Sequence, residues 1–349
     1  MTDDLSPEDS FRLQVLLTQN LKAVRIDESA LVLHALTDQG EASLPLAPVC
    51  RPDRYLRLVR EFLSGHALGS PGGYPVYLSR WTRQGQVEGG KLGRLLLTGE
   101  PEAVVAVVYS PALTNELAEY AWWAQPTIEN ARLMLRREAV AQGRMGRVLA
   151  EFLAEHLPFL RDDHLGIMDT VAVLIHARAL TPAQLEGVWK KGRRSNTHYV
   201  AFLELAALAH RLPIPLPAHA ECDGITAALA GREAEPGVAA LLRALSSQGQ
   251  TFLAAAADVL ERPETQEVAS RTLNAIGAYF GPPGAASHPL CDACQIYAPR
   301  LEAAQRLVAC NDAALKPIFA RSSAIGSLMR RKIEPVISAL LADIRALRA

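Results

Sequence analysis

What this sequence has little of sets its limits first. It has no long apolar run: Ala-Val-Val-Ala-Val-Val at 103–108 is among the longest, far short of the ~20 residues that span a bilayer. Its opening, MTDDLSPEDS, is acidic and contains no apolar stretch, so it does not read as a secretory signal. No charge of one sign dominates, since 36 Lys and Arg against 37 Asp and Glu leave a formal net charge of −1. A nucleic-acid binder carries a basic field or a concentrated basic face, so polyanion contact here has to be local. Cysteine is scarce, with five in the chain, an odd number that does not make an extracellular disulfide framework. These absences predict a soluble protein of a reducing cytoplasm with no membrane insertion.

What is present is an ordinary globular balance. At 349 residues, 49% hydrophobic and 21% charged, the chain is long enough for two or three domains. Ser6-Pro7-Glu8-Asp9 is a helix start: a capping hydroxyl, a proline suited to the first turn, and acids at the positive end of the dipole. Three short β-type runs follow at 23–27, 30–36 and 41–46, separated by turn-forming residues. They predict a three-stranded antiparallel meander, with Pro45 confining the last strand to an edge. Asp53 then opens a helix with Tyr55, Leu58, Val59 and Phe62 on one face, ending at Gly65.

The stretch 64–86, SGHALGSPGGYPVYLSRWTRQGQ, separates this module from a remainder that reads as helix after helix. Its Gly and Pro residues predict tight turns. The expected fold class is α+β: a small N-terminal helix plus meander, followed by a mainly α, solenoid-like array of helical hairpins. The expected domains are 1–86, 87–211 and 212–349, the last boundary set by Leu-Pro-Ile-Pro-Leu-Pro at 212–217. An internal echo supports hairpins. The segments beginning at Ala112 and Ala179 align at an offset of 67, sharing Ala-Leu-Thr, Glu119 with Glu186 and Trp122 with Trp189. Each reads as a short helix, a turn and a longer helix. The last helix has Pro335 in its expected first turn and Ile337, Leu340, Leu341, Ile344 and Leu347 on one face.

No complete catalytic or cofactor motif is present, so no cofactor or metal is expected and a non-enzymatic role is favoured. Gly85 to Lys91 matches the opening of a phosphate-binding loop, but Leu92 stands where the Mg²⁺-binding Ser or Thr belongs. Cys291-Asp-Ala-Cys294 follows Pro289 at an expected helix start. A helix dipole there lowers a thiol's pKa, which makes Cys291 and Cys294 candidates for thiol redox or sulfur transfer. With His288 and Cys310 they fit no standard zinc spacing. Lys190, Lys191, Arg193 and Arg194 form the densest basic run, and Arg80 and Arg83 lie within the junction stretch. These six are the candidate interaction surface, for a protein partner or RNA. The alternative for residues 190–194 is a helix terminus, with lysines offsetting the dipole and Gly192 capping. Arg330, Arg331 and Lys332 form a similar run, read as a solvated face.

The phrases SGHALGSPGGYPVYLSRWTRQGQ, LLLTGEPEAVVAVV, AWWAQPTIENARLMLRR and MGRVLAEFLAEHLPF, with RIDESALVLHALTDQGEA near the start, resemble the DsrS family. These are cytoplasmic accessory proteins encoded with the reverse dissimilatory sulfite reductase system of sulfur-oxidising bacteria. The resemblance covers roughly residues 6–210, and the C-terminal part more loosely. It implies an accessory or regulatory role in the oxidation of stored sulfur, with protein partners in that system. It carries over no active-site residue. Persulfide handling in that system also bears on Cys291 and Cys294.

Overall fold

A computed structural model describes residues 5–69, 92–208, 211–281, 292–320 and 324–349. The chain divides into two compact units, Met1–Leu153 and Ala154–Ala349.

The first unit opens with α1 (Pro7–Leu17), where the Ser6 hydroxyl accepts the Asp9 N–H at 3.0 Å and Pro7 occupies the first turn. β1 (Leu21–Asp27), β2 (Val32–Thr37) and β3 (Gly40–Pro45) form the antiparallel sheet in the order β1-β2-β3. Register pairs Val24 with Ala35 and Ala35 with Ala42, and Ile26 with Leu33 and Leu33 with Leu44. The period-two alternation therefore gathers these residues on one face. α1 and α2 (Pro52–Leu68) cover that face with Leu13, Leu16, Tyr55, Val59 and Leu63, all buried. Pro45 stands on the outer strand opposite Val32, as its missing donor requires. α2 runs past Gly65 and stops at Gly69, whose φ of 62° makes the left-handed cap. Gly65 lies inside the helix because Ser64 and Ala67 still bury on its apolar side.

On the other sheet face, Arg25 and Glu41 meet α4 (Asn115–Ala124), which follows α3 (Pro101–Tyr109). The Arg25 guanidinium lies 4.6 Å from the Trp123 ring centroid and donates to Glu41 Oε1 at 2.9 Å. The Trp123 indole N–H donates to Glu41 Oε2 at 3.2 Å. α5 (Ile128–Leu135), α6 (Glu138–Ala141) and α7 (Arg144–His156) continue the chain, and Trp122 meets Phe152 edge-on at 4.7 Å.

The second unit, as described, is helical: α8 (His164–Ala177), α9 (Pro182–Lys191), α10 (Thr197–Ala206), α11 (Cys222–Ala228), α12 (Pro236–Leu245), α13 (Ser247–Glu261), α14 (Gln266–Phe280), α15 (Ala298–Val308), α16 (Lys316–Phe319) and α17 (Gly326–Arg348). α10 and α13 are buried along most of their length and form its centre. α10 packs on α8, α13 and α14, and α13 on α12 and α17. Buried Gln250 donates to the Ala244 carbonyl at 2.9 Å and the Leu347 carbonyl at 3.0 Å. It thereby satisfies carbonyls near two helix ends. The α+β module followed by a helical array is the architecture the sequence predicts.

Two local expectations are corrected. Pro335 lies inside α17 and not in its first turn. An interior proline costs ~3 kcal/mol, but Met329 and Ile333 bury on the same stripe as Ile337, Leu340, Ile344 and Leu347, so packing carries the helix through it. The echoed hairpins also differ from expectation. α4 and α9 occupy residues 115–124 and 182–191, matching at the 67-residue offset, each capped by a threonine, Thr114 or Thr181. The second helix is the shorter in the first copy, where α5 has 8 residues, while α10 has 10. At the start of α5 the Asn130 N–H donates to the capping Thr127 hydroxyl at 3.2 Å, and the Asn130 side-chain amide donates to the Gln125 carbonyl at 3.0 Å.

Candidate functional site

The site builds from the end of α9. A capping box starts that helix: Gln184 N–H donates to Thr181 Oγ1 at 3.3 Å, and Thr181 N–H to Gln184 Oε1 at 2.9 Å. At its far end the basic run splits by role. Lys190 approaches Glu186 at 3.5 Å on the outer face. Lys191 turns inward, and its ammonium donates to the Ala154 carbonyl at 3.2 Å; burial pulls its pKa down. Gly192 is the C-cap, yet its φ of −56° is right-handed. Its glycine answers another need, because a Cβ there would run into the Tyr199 ring. Arg193 and Arg194 stay exposed, with no ion-pair partner among the described residues.

α10 then fixes what lies beside them. Asn196 donates to the Asp258 carbonyl at 2.9 Å and the Arg262 carbonyl at 3.2 Å, clipping the start of α10 to the end of α13. The Tyr199 ring packs against Trp189 in a tilted arrangement, centroids 4.6 Å apart. Its phenol pKa is raised by burial and then by Asp258, with Arg193 opposing. The Asp258 carboxyl is held above its ordinary range by desolvation and then Glu261, with Arg348 opposing.

Beside the end of α13 runs an open groove of about 470 Å³ between Leu260, Glu261 and Pro263 on one wall and α17 on the other. Residues 330, 334, 337, 341 and 345 line it at helical spacing. Leu260, Ile337 and Leu341 give it apolar ground, and Arg330, Arg331 and Arg345 supply positive charge against Glu261 and Glu334. Arg330 donates to the Pro263 carbonyl at 3.5 Å. Asn196 and Arg330 thus both bond carbonyls at the end of α13, those of Asp258 and Arg262 for the first and that of Pro263 for the second. Arg345 joins Arg330 and Arg331 in the groove lining, and no local spacing in the sequence marks it.

No family model, curated protein or solved structure matches the chain.

The remaining sequence candidates fall elsewhere. Arg80, Arg83, Cys291, His288 and the near phosphate loop at 85–91 lie outside the described residues. Cys294 stands in a 3-10 helix, Asp292–Tyr297, where the backbone alone is described. Cys310 is a free thiol whose pKa burial pushes up to about 12, the opposite of an activated nucleophile. Asp163 is a helix cap, accepting the Gly166 N–H at 2.8 Å, and His164 Nδ1 lies 3.2 Å from Thr197 Oγ1. Among the described residues no helix is long and apolar enough to cross a membrane.

Proposed function

We propose that this chain is a non-enzymatic accessory or regulatory interaction protein of cytoplasmic dissimilatory sulfur oxidation. The sulfur context comes from the DsrS-like phrases along residues 6–210. The interaction role is supported by one observation above the rest: Arg330, Arg331 and Arg345 line a groove with an apolar floor at the end of α13. An apolar floor between arginines matches an acidic, amphipathic segment of a partner protein. Glu261 and Glu334 in the walls repel a continuous phosphate backbone, and none of the described lining residues is an aromatic ring on which bases stack. The groove therefore fits a polypeptide better than RNA.

The test is affinity capture from cells grown on reduced sulfur, comparing the wild type with the combined variant Arg331→Glu, Arg345→Glu. The wild type should retain proteins of sulfur oxidation, in a salt-sensitive manner and after nuclease treatment, and the variant should release them. Equal capture by both, retention abolished by nuclease, or turnover of a sulfur substrate by the purified protein each overturns the reading.

A further inference from the structure

A second cavity, of about 250 Å³, lies in the helical unit where α8 ends, α9 begins and α10 ends. Leu174, Ile175, Phe202 and Leu205 form its buried floor, and Leu180 and Leu185 its half-buried lip. Among the described lining residues the charges are Arg178 and Arg211, and none is an acid. Both side chains are exposed, and neither has an ion-pair partner among the described residues. An apolar enclosure with a small number of oriented charges is the usual form of a small-molecule site.

Arg178 adds an independent observation. It is the C-cap of α8 with φ 53° and ψ 25°, the left-handed conformation, closed by its N–H on the Ile175 carbonyl at 3.3 Å. Glycine normally fills that position, since a side chain there adds steric strain. The turn alone is better served by glycine, whereas the cavity mouth has use for a guanidinium.

We propose that this cavity binds a small amphipathic monoanion, an aliphatic or single-ring body carrying one carboxylate, with the body on Leu174, Phe202 and Leu205 and the carboxylate between Arg178 and Arg211. The volume suits a body of about this size, and a planar guanidinium fork matches a carboxylate. Lysine-type point charges would not give the same preference for that head group.

The decisive variant is Arg178→Gly, because it removes the guanidinium while relaxing the backbone. Binding of octanoate, 1-octanol and octylamine is measured by calorimetry, alongside the melting temperature. Octanoate should bind saturably at one site, at least tenfold tighter than octanol, with octylamine weaker still. R178G should lose at least tenfold in octanoate affinity while its melting temperature stays level or rises. Should R178G be less stable than the wild type, Arg211→Gln supplies the affinity readout, with the same expected loss. The proposal is overturned if wild-type protein shows no saturable octanoate binding, if octanol binds as tightly, or if R178G and R211Q both keep wild-type affinity.

Discussion

Arg271 holds Glu204 by two parallel hydrogen bonds, Nε to Oε1 and Nη2 to Oε2, each 2.7 Å long. Its remaining nitrogen reaches Asp169 Oδ1 at 3.1 Å. One residue of α14 thereby ties α10 and α8 together. The hydrogen bonds to Glu204, foremost, and to Asp169 raise the guanidinium's pKa against the desolvation that opposes them. Both acids are partly exposed, so solvent screens the pair. Arg271→Met should destabilise by about 2 kcal/mol, the range for charge-assisted hydrogen bonds of this kind. Arg271→Lys should recover less than half, because an ammonium cannot make the fork. Urea unfolding followed by circular dichroism checks both; equal midpoints for Met and Lys would contradict the bidentate account.

Gly277 and Gly65 should respond to the same substitution in opposite directions. Both lie inside helices, α14 and α2. A Cβ on Gly277 would overlap the Cys310 carbonyl, which is backbone and cannot step aside cheaply. A Cβ on Gly65 meets nothing within 4 Å. Gly277→Ala should cost about 1–3 kcal/mol through overpacking. Gly65→Ala should gain about 0.5–1 kcal/mol from the lower entropy of the unfolded chain. Denaturation midpoints measure both; a stabilising G277A would mean that the Cys310 turn is loosely held.

The fold class was legible because its signals are local. Ser6 and Pro7 start α1, strand alternation aligns with the observed register, and Thr114 and Thr181 begin α4 and α9 at the same offset. Element ends were less legible. Gly65 looks like a stop and Pro335 like a first-turn proline, yet burial of Ala67 and of Ile333 extends each helix past them. The groove at the end of α13 was half legible. The run around Arg331 stands out as sequence, but its facing of Leu260, Glu261 and Pro263 depends on tertiary packing, and Arg345 sits singly among ordinary neighbours. Arg178 gave no signal at all, since an arginine says nothing of the left-handed backbone beneath it.

Cys310 should be inert in the native protein. Its thiol is buried enough that its pKa rises to about 12, so at pH 8 the thiolate that reacts with alkylating agents is scarce. Iodoacetamide at pH 8, followed by peptide mass spectrometry, should leave Cys310 unmodified in the folded state and label it in 6 M guanidinium. Labelling of Cys310 at equal rates in both conditions would show that the α15 end opens readily.

His198 should make the protein less stable in mild acid. The ring is 6% exposed, and Nδ1 lies 2.9 Å from the Ser195 carbonyl, so Nδ1–H is the donor. Nε2 is then a bare acceptor, buried without a hydrogen-bond partner among the described residues. Desolvation, foremost, and the Lys191 charge lower its pKa, with the Ser195 bond opposing. A histidine with a lowered folded pKa takes its proton first in the unfolded chain. Stability is therefore unaffected above the unfolded value of about 6.5, and falls below it by up to about 1.4 kcal/mol per pH unit until the folded ring also protonates. His198→Asn keeps a donor near the Nδ1 position and removes the titration. Between about pH 7.5 and 5.5 the wild type should lose more stability than H198N, measured by urea midpoints at each pH. Parallel losses in the two proteins would place the acid sensitivity in other groups.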